Sequence, residues 1–195
     1  GFLLYWFPFF EFNAAGGLAL KPLGGTRILG VLQRIALCFG LASLIVHFFK
    51  PRGALVFCVL ALGVNAWVLA SFGDLTLKGN AALKLDLWLL GESHLYRGEG
   101  IPFDPEGVLG TLPATVNVLA GYFAGRLLRS KGAGHEAVAL LLMAAAACVV
   151  AGLWWSSVLP MNKKLWTSSY VLCTVGIAAA VLAVLVYATE LRKAL

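Results

Sequence analysis

The residues best equipped for chemistry fall in three short stretches. Glu92-Ser93-His94-Leu95-Tyr96 and Phe103-Asp104-Pro105-Glu106-Gly107 place an imidazole, a phenol and three carboxylates in one segment. An imidazole titrates near neutral pH, and the others can orient the hydroxyls or the amine of a polar ligand. The same types also admit a plain structural reading. His94 and Tyr96 suit a membrane interface, and Asp104-Pro105-Glu106 suits a helix start, with a capping acid, proline at the first position and an acid at the positive end of the dipole. The second stretch, Thr26-Arg27-Ile28-Leu29-Gly30-Val31-Leu32-Gln33-Arg34, sets two arginines seven residues apart. That is two helical turns, so Arg27 and Arg34 are expected on one face with Gly30 between them and Gln33 alongside. The third, Asn162-Lys163-Lys164-Leu165-Trp166-Thr167-Ser168-Ser169-Tyr170, is polar at a point where an apolar run should begin.

What must position these residues is a membrane bundle. Of 195 residues, 61% are hydrophobic and 12% charged, against ~45–50% and ~25% in soluble domains. Mean hydropathy is +0.88. There is too little polar surface to cover a globular core, which excludes water-soluble enzymes, nucleic-acid readers and secreted disulfide scaffolds. Five continuous apolar runs, at 28–49, 53–72, 108–128, 136–159 and 166–188, approach the ~20 residues needed to cross a bilayer. The fold class is therefore all-α, a polytopic transmembrane helix bundle of about five full spans. Gly1 to Phe12 is too short to span and reads as the end of a preceding helix. Residues 1–195 form one membrane domain, itself a fragment of a longer one, with a hairpin at 28–72, a polar loop at 73–107 and three further spans at 108–188.

In that frame Arg34 sits five to seven residues inside the first span, roughly 8–10 Å deep at ~1.5 Å per residue. An arginine there costs about 2.5 kcal/mol or more unless it snorkels out or meets an anion or a wet cavity. Both readings stand on sequence. A guanidinium facing a cavity would suit a carboxylate or phosphate. Asn65 and Asn117, also intramembrane, read as contacts between helices, and Gly121-x-x-x-Gly125 as a helix-packing seam.

The net charge of +6 is mainly topological. Seven basic residues (Lys50, Arg52, Arg126, Arg129, Lys131, Arg192, Lys193) fall at one set of helix ends and four (Lys21, Arg27, Lys163, Lys164) at the other. The loop at 73–107 carries six acids and three bases, net −3. The basic side is expected to be cytoplasmic and the acidic loop non-cytoplasmic; the absence of any N-x-S/T sequon leans toward a bacterial inner membrane. His47 and His135 read as interfacial. Cys38, Cys58, Cys148 and Cys173 lie in apolar runs without a CxxC pair and read as free packing thiols. No metal constellation, glycine-rich phosphate loop or serine nucleophile motif is present.

Taken together and in order, the Thr26–Arg34 stretch, Trp88-Leu-Leu-Gly-Glu-Ser-His94-Leu-Tyr96, Phe103-Asp104-Pro105-Glu106-Gly107-Val-Leu-Gly-Thr111 and Asn162–Tyr170 resemble the heparan-alpha-glucosaminide N-acetyltransferase family, with its bacterial transmembrane relatives. The resemblance implies a membrane enzyme that moves acetyl from acetyl-CoA to the amine of a glucosamine-type sugar on the non-cytoplasmic side, with no metal. It implies that the family's key histidine lies upstream of Gly1, so the catalytic residue is not in this chain and the piece alone is inactive. His94, Tyr96, Asp104, Glu106, Asn162, Lys163 and Trp166 are expected to bind the sugar, and Arg27, Gln33 and Arg34 the acetyl-CoA. The expected partners are these two small molecules and membrane lipids, with no nucleic acid; a homo-oligomer is compatible with the reading. Two other classes are weighed beside it. A sugar or acidic-solute transporter also suits a buried arginine, although no inverted repeat or broken helix pair is visible; a structural membrane subunit leaves the motifs unexplained.

Overall fold

The computed structural model describes residues 1–13 and 16–192; Lys193, counted above with the basic helix ends, lies outside the described residues. It is an all-α bundle with four helices long and apolar enough to cross a membrane and one small hairpin. The chain opens with a short helix, α1 (Phe2–Trp6), and an antiparallel ribbon, β1 (Phe10–Phe12) with β2 (Leu18–Leu20), in the register Phe10↔Leu20. The expectation of helix through Phe12 is corrected here. Pro8 has no N–H to donate, so the helical pattern cannot continue through it.

The first long helix, α2 (Val31–Ser71), is 41 residues with non-helical backbone at Lys50 (φ 59°, ψ −176°) followed by Pro51. It is thus two arms, 31–49 and 51–71, and they fold back on one another. Arg34 from the first arm and Asn65 from the second both meet Trp166, the first over its ring and the second at its carbonyl. Nearer the turn, Ala42 and Ile45 of one arm and Ala54 of the other close on Leu119. The two arms are the first two spans expected from sequence.

The segment at 73–107 is not simply a loop. It holds α3 (Ala81–Leu90), whose Asn80 cap accepts the Leu83 N–H at 2.7 Å. α3 turns Ala81, Ala82 and Leu83 into a core with Leu69, Leu95, Phe103, Leu109 and Leu165. The signal was present in the sequence, as a capping asparagine, a run of good helix formers and Gly91 as a stop. α3 thus packs where the second arm of α2 ends, at Leu69, and where the next long helix begins, at Leu109, with Leu95 and Phe103 of the 92–107 segment in the same cluster.

Three helices follow: α4 (Val108–Lys131), α5 (His135–Ser156) and α6 (Ser168–Val186), the last closing in a π turn at Tyr187–Leu191. Small residues join α5 to α6. A β-carbon at Gly176 would meet the Ala145 carbonyl and the Val149 backbone, and one at Gly152 would meet Cys173 and Ser169. The expected seam at Gly121 and Gly125 is different: neither has any neighbour within 4 Å of that position, and Gly121 faces a groove beside α6. The spacing motif specifies where two backbones could approach, and only the assembly decides which do. Asn117 does bridge helices, donating to Thr174 Oγ1 at 3.4 Å. Among the described residues the four cysteines are free.

Candidate functional site

The acidic motif and the arginine motif meet outside the helices. Arg27 donates through Nε to Asp104 Oδ2 at 2.9 Å and through Nη2 to Asp104 Oδ1 at 2.7 Å and Glu106 Oε2 at 2.6 Å. Its Nη1 reaches the Tyr5 hydroxyl at 3.0 Å, and its guanidinium lies 5.1 Å from the Tyr5 ring centre and 4.6 Å from that of Tyr96. Asp104 is buried, so this two-pronged pair supplies the charge and the donors that burial would otherwise deny it. Burial disfavours the Arg27 charge, but the bonds and charge of Asp104 and then Glu106 outweigh it and hold the guanidinium above its ordinary range.

This corrects the expected shared face of Arg27 and Arg34. Residues 26–30 are extended and α2 begins only at Val31. The carboxylates draw Arg27 away from the helix. His94 ties the same segment from the other side, its Nδ1 donating to the Thr26 carbonyl at 2.8 Å while the Ile28 N–H reaches the His94 carbonyl at 3.4 Å. A carbonyl can only accept, so a neutral His94 carries its proton on Nδ1 and presents Nε2 as an acceptor.

The helix start expected at Asp104 is likewise displaced. Asp104 Oδ1 does accept the Glu106 N–H at 3.0 Å, but as part of a turn. α4 starts at Val108, capped from another element, since Asp86 on α3 accepts the Val108 N–H at 2.9 Å. Asp86 is fully buried and its Oδ2 has no partner. Burial pushes its carboxyl up to about 6; Asp104 adds to the rise, while the Val108 N–H and Arg34 oppose it. A β-carbon on Gly107 would collide with Asp86 Oδ2, so this approach needs glycine. Sequence reading assigned Asp86 no role. An acid six residues into a short helix carries no local sign that it caps a different one.

Arg34 lies one turn into α2 and is 5% exposed. Its Nη2 donates to the Gly107 carbonyl at 3.3 Å and its guanidinium stacks 4.7 Å from the Trp166 ring centre, while Nε and Nη1 have no partner. The amide of neighbouring Gln33 is also buried and unpartnered. Arg34 lines a slot of about 240 Å³ between α2 and α4, with Val31, Ile35, Cys38, Phe39 and Val118 as apolar walls.

Trp166 is set by the polar third motif. Asn162 Oδ1 accepts the N–H groups of Lys164 and Leu165 at 2.9 and 3.3 Å, and Thr167 Oγ1 accepts the Asn162 N–H at 2.9 Å. Asn162 thus caps the turn that precedes α6, and Thr167 takes the position directly in front of that helix. Trp166 itself has φ 52°, an uncommon conformation held by this network. Beside it, Glu99, Pro105, Glu106, Lys163 and Lys164 surround a polar vestibule of about 220 Å³, with Lys164 paired to Glu99. Glu106 and Trp166 line both spaces, and so form the wall between vestibule and slot.

Of the residues expected from sequence, the fold therefore gathers Glu106, Lys163, Trp166 and Arg34 around two adjoining spaces. Asp104 and Arg27 brace one wall, and Asn162 shapes the other. Tyr96 lines a separate surface cleft with Tyr5 and Arg27, and His94 faces the backbone of the extended segment. Such an arrangement can hold a polar ligand in the vestibule, and it leaves two guanidinium nitrogens of Arg34, Nε and Nη1, buried and unpartnered beside the slot.

Comparisons with known proteins carry the same theme. No family model matches the chain. It is 34% identical over 110 residues to heparan-alpha-glucosaminide N-acetyltransferase of Mus musculus, covering 48% of this chain and 16% of that protein. It is 32% identical over 124 residues to the Homo sapiens protein of the same name, covering 55% and 18%. The matched segment thus spans less than a fifth of either relative. The chain is an integral membrane protein with an all-α bundle, distantly related to these N-acetyltransferases.

Proposed function

We propose that this chain forms the substrate-holding part of a membrane N-acetyltransferase, with acetyl-CoA as donor and the amine of a glucosamine-type sugar as acceptor, presented from the non-cytoplasmic side. The single observation that carries the reading is Arg34: a buried guanidinium with two unpartnered nitrogens, lining a slot that shares Glu106 and Trp166 with a polar vestibule.

In the reaction the amine nitrogen bonds to the acetyl carbon, the thioester C–S bond breaks, and the amine proton leaves as the thiolate of CoA takes one up. Such a transfer needs the amine neutral, the carbonyl oxygen stabilised as negative charge builds on it, and both partners held in line. Arg34 supplies the oxygen's donors from Nε and Nη1, with Gln33 beside it. Arg27 acts at one remove, holding Asp104 and Glu106 in place, and Glu106 orients the sugar hydroxyls and the amine from the vestibule wall. Asn162, Lys163 and Trp166 form the rim. The residue that removes the amine proton is not assigned among these.

The test uses the full-length polypeptide, following acetyl-CoA-dependent acetylation of glucosamine. Arg34→Met, which keeps the apolar stem, is expected to lower kcat/KM by 10²-fold or more. Unchanged acetyl-CoA kinetics at normal expression would remove Arg34 from the site. Uptake of the sugar without acetylation would replace the reading with transport.

A further inference from the structure

The ribbon β1–β2 carries an apolar surface outside the spans. In an antiparallel pair, directly opposed residues share a face, and every second residue returns to it. The register Phe10↔Leu20 and Phe12↔Leu18 therefore puts four large apolar side chains on one face, while Glu11 and Ala19 share the other. Those four are between 48% and 78% exposed, and among the described residues none joins a core cluster. Exposed apolar residues on the long helices need no account, because spans face lipid. A ribbon that ends at Leu20, well before α2 begins at Val31, does need one. An isolated two-stranded ribbon is marginal in water at best, and a bare apolar face marks a place where something else docks.

The level of the ribbon is an independent observation, and α1 fixes it. A β-carbon on Gly1 would meet the Gln33 side chain, and one on Gly30 would meet Tyr5, which also bonds Arg27 at 3.0 Å. α1 therefore lies against residues 27–33, with Gly1 beside the third residue of α2 and Tyr5 beside its start. The ribbon's base is tied to the Tyr5 end. The Phe9 carbonyl accepts the Lys21 N–H at 2.8 Å, and the Lys21 carbonyl accepts Trp6 Nε1 at 2.9 Å. Trp6 and Phe7 both pack edge-on against Phe9, an aromatic group of the kind enriched where hydrocarbon meets water. From this level the ribbon has two courses. It rises into water with four bare side chains, or it lies along the boundary with them turned to the acyl chains and Glu11 turned away. Removal of apolar surface from water favours the second.

We propose that β1–β2 is a membrane-interface anchor, whose face of Phe10, Phe12, Leu18 and Leu20 seats in the lipid leaflet on the vestibule side. The partner is the bilayer itself, at the border of headgroups and acyl chains. The face bears no charge, so the seating does not select among headgroups. Tyr5 precedes the ribbon and Arg27 follows it, and Arg27 also holds Glu106 of the vestibule wall. An anchored ribbon thus restrains both ends of the strap that carries Arg27. The inference does not depend on acetyl transfer.

The experiment places the full-length protein in phosphatidylcholine nanodiscs, with the photoreactive residue benzoylphenylalanine substituted for Phe12 and, in separate samples, for Leu18 or Glu11. After irradiation, mass spectrometry of the ribbon peptide reads what has been captured. The expected result is a lipid adduct at positions 12 and 18, about fivefold or more above that at position 11, since only one face meets the leaflet. Phe12 is 78% exposed, so the larger side chain meets no wall. Leu18, on the facing strand, gives a second reading should the Phe12 variant fail to fold. Lipid capture no greater at 12 and 18 than at 11, or absent from all three, overturns the anchor. Capture of another segment of the same chain, or of a second copy, overturns it too and assigns the face to a protein contact; mixing isotope-labelled with unlabelled chains tells these two apart. Glucosamine acetylation is assayed on the same samples, so failure of the transferase reading and failure of this one are read separately.

Discussion

Asp86 caps a helix to which it does not belong. Its Oδ1 accepts the Val108 N–H at 2.9 Å, while the Gly107 carbonyl of the same peptide unit accepts from Arg34 Nη2 at 3.3 Å. One carboxylate on α3 therefore fixes the peptide that holds the buried arginine. Removing the acceptor should be felt twice. Asp86→Ala is expected to lose about 1–2 kcal/mol of stability, as for other capping acids, whereas Asp86→Asn keeps an oxygen for Val108. Denaturation in detergent, with both variants beside wild type, checks the order.

The same carboxylate predicts a pH dependence. Its folded value of about 6 lies above the ordinary 3.8, so the folded state holds the proton more tightly than the unfolded one. Stability is therefore fullest below pH ~4 and declines as pH rises to about 6, by an amount of order 3 kcal/mol from this group alone. Asp86→Asn removes that decline. Thermal midpoints across this pH window for the two proteins provide the measurement, and parallel curves would exclude it.

Gly107→Ala sets a β-carbon against Asp86 Oδ2. It is expected to cost about 1–3 kcal/mol, as overpacked positions do. Because the collision is with one side chain, Asp86→Ala/Gly107→Ala should be less damaging than the two single effects summed. A double-mutant cycle reads this directly.

Arg27→Met leaves the buried Asp104 carboxylate without its two-pronged partner. The expected loss is about 3–5 kcal/mol, and Arg27→Lys should recover only part of it, since an ammonium cannot reproduce the fork. Arg27→Met/Asp104→Leu is expected to be more stable than Arg27→Met alone, because the orphaned charge has gone. Unfolding of the three variants tests the sequence of effects.

Gly152 and Gly176 carry the α5–α6 contact, and Gly121 and Gly125 do not. Alanine at either of the first pair is expected to destabilise this chain by about 1–3 kcal/mol. At Gly121 or Gly125 it should be neutral or slightly stabilising, since alanine is the better helix former by ~1 kcal/mol. Melting temperatures of the four single variants decide between the two seams.

The fold class and the spans could be read from composition and run length, because in lipid every backbone group must be bonded within helices. The motifs at 26–34, 92–107 and 162–170 also stood out, as polar residues at the edges of apolar runs. Their chemistry by type was legible; their geometry was not. Arg27 and Arg34 sit at helical spacing, yet a bidentate carboxylate 77 residues away outcompetes one turn of helix and pulls Arg27 into an extended strap. Asp104 has every local mark of a cap, yet the first free N–H of α4 is at Val108 and is met by Asp86. Only the tertiary structure decided which glycines are packed, which acid caps which helix, and that Glu106 and Trp166 divide one space from another. The physical reason is range. Hydropathy and helix periodicity act over a few neighbouring residues and are written in local sequence, whereas pairing of buried charges is settled between segments far apart in the chain, wherever burial makes an unpaired group most costly.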